Sequence, residues 1–230
     1  MKVKRLTGIL LLIACAAGII FCGVTAFQDR RYNLISIIMV LFACVPFYYA
    51  YEKKDGNIRR MVVLAVMTAI AVVGRFIFVV LPGFKPVTAI VIIAGMYMGP
   101  EAGFLTGSLV AVISNMFFGQ GPWTPFQMLA WGMTGMVAGL PGIRKALKKK
   151  WVLAIYGVIT GFMYSAIMDI WTVLSMDGTF NWLRYGMALF TAIPVTIEYM
   201  VANVVFLMLG IGPIGTKLER IRIKHGIFDD

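Results

Sequence analysis

This chain repeatedly runs apolar for close to the twenty residues that a helix needs to cross a bilayer, and nothing else about it constrains the fold as strongly. The runs predict spans at 6–27 and 34–51, then at roughly 61–81, 87–98, 103–118, 124–140, 151–175 and 185–211. In hydrocarbon every backbone polar group must be satisfied inside the protein, so the runs read as helices and not as open strands. The chain is 60% hydrophobic and 13% charged, whereas soluble domains are about half apolar and about a quarter charged. The expected class is therefore an all-α polytopic membrane protein.

The runs are not all alike. The first two are plain, and the polar linker YEKKDGNIRR at 51–60 separates them from six that are denser in Gly, Ala and polar residues. Small residues let helices approach closely in lipid, where apolar packing alone discriminates poorly. The expected organisation is two N-terminal helices and a basic linker (1–58), a six-helix functional core (59–215) and a basic tail (216–230). Within the core, 87–98 is short for a span, and Pro82 and Pro86 frame a kinked or re-entrant entry to it.

Charge placement supplies an orientation. With a cytoplasmic N-terminus, sixteen of the 21 basic residues fall on the inner side, in the clusters at 2–5, 53–60, 144–150 and 217–224. That is the positive-inside pattern for eight spans with both termini in the cytoplasm. It also accounts for a net charge of +11 without invoking nucleic acid. In the tail, LERIRIKHGIF at 218–228 alternates basic residues with Leu218, Ile221, Ile223 and Ile227, as a segment lying along the inner surface would.

In this orientation the stretch SNMFFGQGPWTPFQMLAW at 114–131 faces outward. Gly119, Gly121, Pro122 and Pro125 keep it from continuing as helix, and it carries Asn115, Gln120, Thr124 and Gln127. A broken backbone between spans must be satisfied by protein, water or ligand, which makes this stretch the leading site candidate. Four of the five tryptophans, Trp123, Trp131, Trp171 and Trp182, map to the same side, as do Phe76, Phe84, Phe117, Phe118, Phe126, Phe180 and Tyr185. An aromatic belt would populate both interfaces, so the asymmetry points to an outward pocket for a small, partly flat organic ligand. Charges within the spans add Arg75, Asp169 and Glu198, which are costly there and read as a structural pair or as ligand contacts. Asn203 reads as an interhelical hydrogen bond.

Other chemistries find little footing. Cys15, Cys22 and Cys44 lie in apolar runs, and the only histidine, His225, is in the tail, so no metal-ligand or disulfide spacing exists. GIGPIGTK at 210–217 lacks the G-K-[ST] of a phosphate-binding loop, and any ATP-driven step must be powered by another subunit. Neither HExxH nor a nucleophile elbow is present.

Residues from about 60 to 215 resemble the substrate-binding S component of energy-coupling factor (ECF) vitamin transporters. The resemblance is carried by the Ala65-x-x-x-Ala69 stripe with the following GRFIFVVLPGFKPVTAIVIIAG, by GPEAGFLTGSLVAVISN at 99–115, and by FFGQGPWTPFQMLAWG at 117–132. It implies a six-helix subunit of a bacterial cytoplasmic membrane with a vitamin site near its outer face. It further implies docking through Ala65 and Ala69 onto a membrane coupling subunit, with two cytoplasmic ATPases supplying energy. The chain itself would need no cofactor. The QGPWTP segment looks most like S components grouped with cobalamin uptake, with riboflavin, a pterin or a queuosine precursor as alternatives. On this reading Phe118, Trp123, Gln127 and Trp131 cradle the ligand, while Arg75, Asn115, Gln120 and Thr124 supply its polar edge. Asp169 or Glu198 orients Arg75 or meets the ligand. The two extra N-terminal helices depart from the common six-helix plan. Two rival readings are a membrane enzyme acting on lipid-linked substrates and an assembly subunit with no ligand.

Overall fold

The computed structural model describes residues 58–177 and 180–227, and these are helical with short connections. The expected spans at 6–27 and 34–51 lie outside the described residues. The described helices are α1 (Ile58–Ile77), α2 (Val87–Met98), α3 (Pro100–Phe118), α4 (Thr124–Gly139), α5 (Pro141–Ala146), α6 (Lys150–Asp177), α7 (Trp182–Thr191) and α8 (Ile193–His225). Among them α1, α3, α6 and α8 are long and apolar enough to cross a bilayer, which shows the polytopic all-α class.

The short helix α2 is the centre of the described bundle. Every one of its residues except Tyr97 is buried, and it lies against α1, α3, α4 and α8. Its sequence VTAIVIIAGMYM has no polar stripe, as expected of a helix covered on all sides. It stops at Gly99, whose φ of +97° a side chain would strain, and Pro100 then opens α3. The chain therefore reverses between two nearly contiguous helices without a loop.

Around α2 the helices touch backbone to backbone. A Cβ placed on Gly95 would strike the Gly135 carbonyl, and one on Gly135 would strike that of Gly103. Gly107 sits on the backbone of Trp131, and Gly139 on that of Pro100. α3 and α4 consequently share the largest contact among the described helices. A second tight seam joins α6 to α8, where a Cβ on Gly161 would lie 2.8 Å from the Met200 backbone. Asn203 donates from Nδ2 to the Gly157 carbonyl at 3.1 Å across that seam, the interhelical role its sequence position suggested.

The C-terminal run departs from its expected form. The span expected at 185–211 is two helices, because Pro194 has no N–H to give a preceding turn and is tolerated only in the first turn of a new helix. α7 therefore ends at Thr191 and α8 restarts at Ile193. α8 then runs through Pro213 to His225, so the basic tail continues the helix instead of forming a separate segment. Leu218 and Ile227 are buried, and Arg59 Nη1 and His225 Nδ1 lie 3.3 Å apart, which ties the end of α8 to the start of α1. The molecule thus has a basic end, with residues 59–60, 144–150 and 217–225, and an opposite aromatic end.

Candidate functional site

At the aromatic end the C-terminal turns of α1 and α3 meet the first turns of α4. Asn115, completely buried on α3, is the hub. Its Oδ1 accepts from Arg75 Nη1 at 2.8 Å, and its Nδ2 donates to Thr124 Oγ1 and to Gln127 Oε1, each at 2.8 Å. Gln127 Nε2 passes the chain on to the Tyr164 hydroxyl at 3.3 Å. One amide thereby joins α1, α3, α4 and, through Gln127, α6. Buried polar groups of this kind are stabilising only when each finds a partner, and here the amide hub provides them.

Arg75 is nine-tenths buried. Its Nη1 also donates to Ser114 Oγ, which in turn donates to the Val110 carbonyl. The guanidinium lies over two rings, 4.8 Å from the centre of Phe118 and 5.3 Å from that of Trp131. Trp131 stacks on Tyr164 at 5.2 Å, and Tyr164 meets Tyr199 edge-on at 5.0 Å. Phe118 stacks on Phe76 at 4.7 Å. A cation held between aromatic faces and neutral oxygens keeps its charge without a carboxylate partner.

Neither Asp169 nor Glu198 orients Arg75, since its hydrogen bonds go to Ser114 and Asn115. Asp169 is buried on α6, and its Oδ2 has no hydrogen-bond partner among the described residues. Glu198 on α8 is half-buried, and its carboxylate packs against Gly83, where a Cβ would come within 2.7 Å of it. Lys85, in the connection between α1 and α2, is near both Arg75 and Glu198. Burial and the Arg75 charge hold its amine below the ordinary lysine value, and Glu198 opposes them.

The loop between α3 and α4 is stapled by its own polar side chains. Gln120 is exposed, yet its Nε2 donates to the Val112 carbonyl at 2.8 Å and its Oε1 accepts from Thr124 Oγ1 at 3.0 Å. Trp123 is half-buried with its ring laid on Gly121, where a Cβ would not fit. Its indole joins no other ring among the described residues and stays apart from the Asn115 network. The structure thus brings together Arg75, Asn115, Phe118, Gln120, Thr124, Gln127 and Trp131, and leaves Trp123, Asp169 and Glu198 outside that cluster.

The aromatic residues form several groups instead of one lining. Phe78, Phe84 and Phe206 cluster together, Phe126 meets Trp171, and Phe180, Trp182 and Tyr185 pack on each other. Among the described residues, the rings that reach Arg75 belong to the Phe76–Phe118 and Trp131–Tyr164–Tyr199 groups. Sequence reasoning did not single out Ser114, Tyr164, Tyr199 or Lys85. A tyrosine in mid-span was the available signal for two of them, because its hydroxyl must find a partner in a dry interior.

On α1, Ala65 and Ala69 are exposed and share a face with Val62, Val66 and Val73.

Comparison with known proteins bears on what this arrangement is for. The family model described as "ECF transporter, substrate-specific component" matches residues 59–215. Two curated relatives, UPF0397 proteins of Aliivibrio fischeri strains MJ11 and ATCC 700601 / ES114, are each 30% identical over 128 residues. In each case the alignment covers 48% of this chain and 69% of the relative. No solved structure gives a significant match.

Proposed function

The chain belongs to the family of ECF transporter substrate-specific components, and from that premise we propose that it binds a vitamin at its aromatic end and hands it to an energised coupling module. The family is one of transporter components and not of enzymes. The observation that supports the site is the Asn115 hub, which locks four helices and the Gly/Pro-broken loop around one buried guanidinium. A scaffold helix bundle has no need of a buried cation braced in this way.

In this reading the aromatic end faces outward and both termini face the cytoplasm, following the positive-inside pattern of the sequence. The exposed Ala65 and Ala69 face of α1 docks on the membrane coupling subunit, and two ATPases below it supply the energy. Cobalamin is the first ligand to test, because the QGPWTP loop resembles that of cobalamin-type S components; riboflavin and a queuosine precursor follow. The test is titration of the purified full-length protein with these compounds, read by calorimetry, and by native mass spectrometry for one bound molecule per chain. Saturable one-to-one binding, with uptake only when the coupling module is co-expressed, is the expected result. Absence of binding to every vitamin tried, together with no association with a coupling module, would overturn the proposal.

A further inference from the structure

The Arg75 side chain is committed on one edge only. Its Nη1 hydrogens go to Ser114 and Asn115, both neutral, and the Nη2 and Nε side of the fork meets no acceptor among the described residues. Those atoms are not among the buried groups sealed off without a partner, whereas Asp169 Oδ2 is. A guanidinium presents five N–H donors in a plane that matches the two oxygens of a carboxylate or phosphate. The rings and neutral oxygens keep the guanidinium charged, and its free donors, on a side chain nine-tenths buried, are placed to take an anion that would gain from the low dielectric there.

The surroundings favour a negative group. Lys85 brings a second cation to the end of α1, because its neighbour Pro86 packs on Gly74, one residue before Arg75, and its amine feels the Arg75 charge. Phe118 and Trp131 lie over the guanidinium, and the burial of Arg75 lowers the local dielectric, which strengthens any charge pair formed there. The acids nearby are Glu198, which is packed on Gly83, and Asp169, which acts on Tyr185 and Tyr199; neither pairs with Arg75. The other titratable groups facing Arg75 are the hydroxyls of Tyr164 and Tyr199.

We propose that the ligand of this site carries an anionic group, a carboxylate or a phosphate, that takes the free edge of Arg75 with Lys85 as the second cation. The inference rests on the vitamin-binding reading and narrows it. Cobalamin, with its phosphodiester, stays within the class, and neutral riboflavin falls outside it.

Matched pairs that differ in the charged group test it: cobinamide phosphate against cobinamide, pantothenate against pantothenol, and biotin against its amide. Each is titrated into the full-length protein in nanodiscs. The compound that binds is expected to be the anionic member of its pair, about ten- to a hundredfold tighter than its partner, the range of one charged hydrogen-bond contact. Arg75→Gln and Lys85→Gln should each shrink that preference, and Arg75→Lys should restore it only in part, because an ammonium is not a fork. Lys85 lies outside the Asn115 network, so Lys85→Gln keeps the test open if Arg75→Gln does not fold. A bound compound with no preference for charge, or one whose preference survives both Gln variants, would overturn this inference and leave the vitamin reading intact. A bound cationic compound that depends on Asp169 would do the same. If no pair member, cobalamin, riboflavin or queuosine precursor binds and no coupling module associates, the vitamin reading fails and this inference with it.

Discussion

The α2–α3–α4 block and the aromatic end use opposite means to hold helices together. In the block, glycines let backbones touch: Gly95, Gly103, Gly107, Gly135 and Gly139 leave no room for a Cβ. At the aromatic end, long side chains reach between helices, and the contacts are amide, guanidinium and ring. The first mode is rigid because nothing in it can rotate away, and the second can exchange one partner for another. A binding site belongs in the second kind of packing, braced by the first. α3 and α4 run through both regions, so the candidate site is mounted on the most tightly joined pair among the described helices.

If that division is correct, the largest effect comes from adding a methyl group to the block. Gly135→Ala would press a Cβ onto the Gly103 carbonyl and into Val91, neither of which can step aside. Overpacking costs typically about 1–3 kcal/mol, and a backbone obstacle puts this case at the upper end. The control is Gly186→Ala on α7, where a Cβ meets nothing within 4 Å and the change should be neutral or stabilising by about 0.5–1 kcal/mol. Thermal unfolding in detergent, followed by tryptophan fluorescence, compares the two. Equal melting temperatures would dissolve the distinction between the regions.

Next in size is Asn115→Ala at the aromatic end. It removes an acceptor from Arg75 and a donor from both Thr124 and Gln127. Stranded buried groups cost about 1–3 kcal/mol, so the loss should approach that of Gly135→Ala and should abolish ligand binding as well. A variant that melts normally and binds normally would show that the hub braces nothing. Gln120→Ala should cost about 1 kcal/mol or less, because the side chain is exposed and water replaces its bonds to Val112 and Thr124. Its effect is expected in faster ligand release, measured by stopped flow, more than in melting.

The same division explains what could be read from the sequence. Runs of apolar residues located α1 to α4 and α6 to within a few residues, because each apolar run ends where the chain leaves the buried interior, whereas α8 runs well past its expected end at 211, to His225. The α7–α8 break was missed because hydropathy continues across Pro194, while the obstacle to helix there is a single absent N–H. For the site, Gly119, Gly121 and the two prolines marked the loop, and a charge in a span marked Arg75. Which partners met was not legible. Arg75 looked due for a carboxylate and instead found Asn115 and Ser114, forty and thirty-nine residues away, because helix packing and not sequence distance decides the pairing. Trp123 looked like a cradle residue and lies instead on Gly121.

The smallest expected effect on stability is at the α1 face, where Ala65→Leu and Ala69→Leu test whether the small residues belong to the fold or to a partner. Both positions are exposed, and their own helix packs inward through Leu64, Met67, Thr68 and Ala71. Leu is as good a helix former as the site requires, so each change should alter stability by no more than about 0.5 kcal/mol. A larger side chain on a face meant for close helix approach would nonetheless separate the two backbones. The expected outcome is normal ligand binding with loss of association to the coupling module, measured by co-purification from membranes expressing both. That outcome would set a third region beside the other two: glycines pack the block, amides and rings pack the aromatic end, and alanines leave a face open for another protein. Undiminished association in the double variant would place the docking surface elsewhere on the bundle.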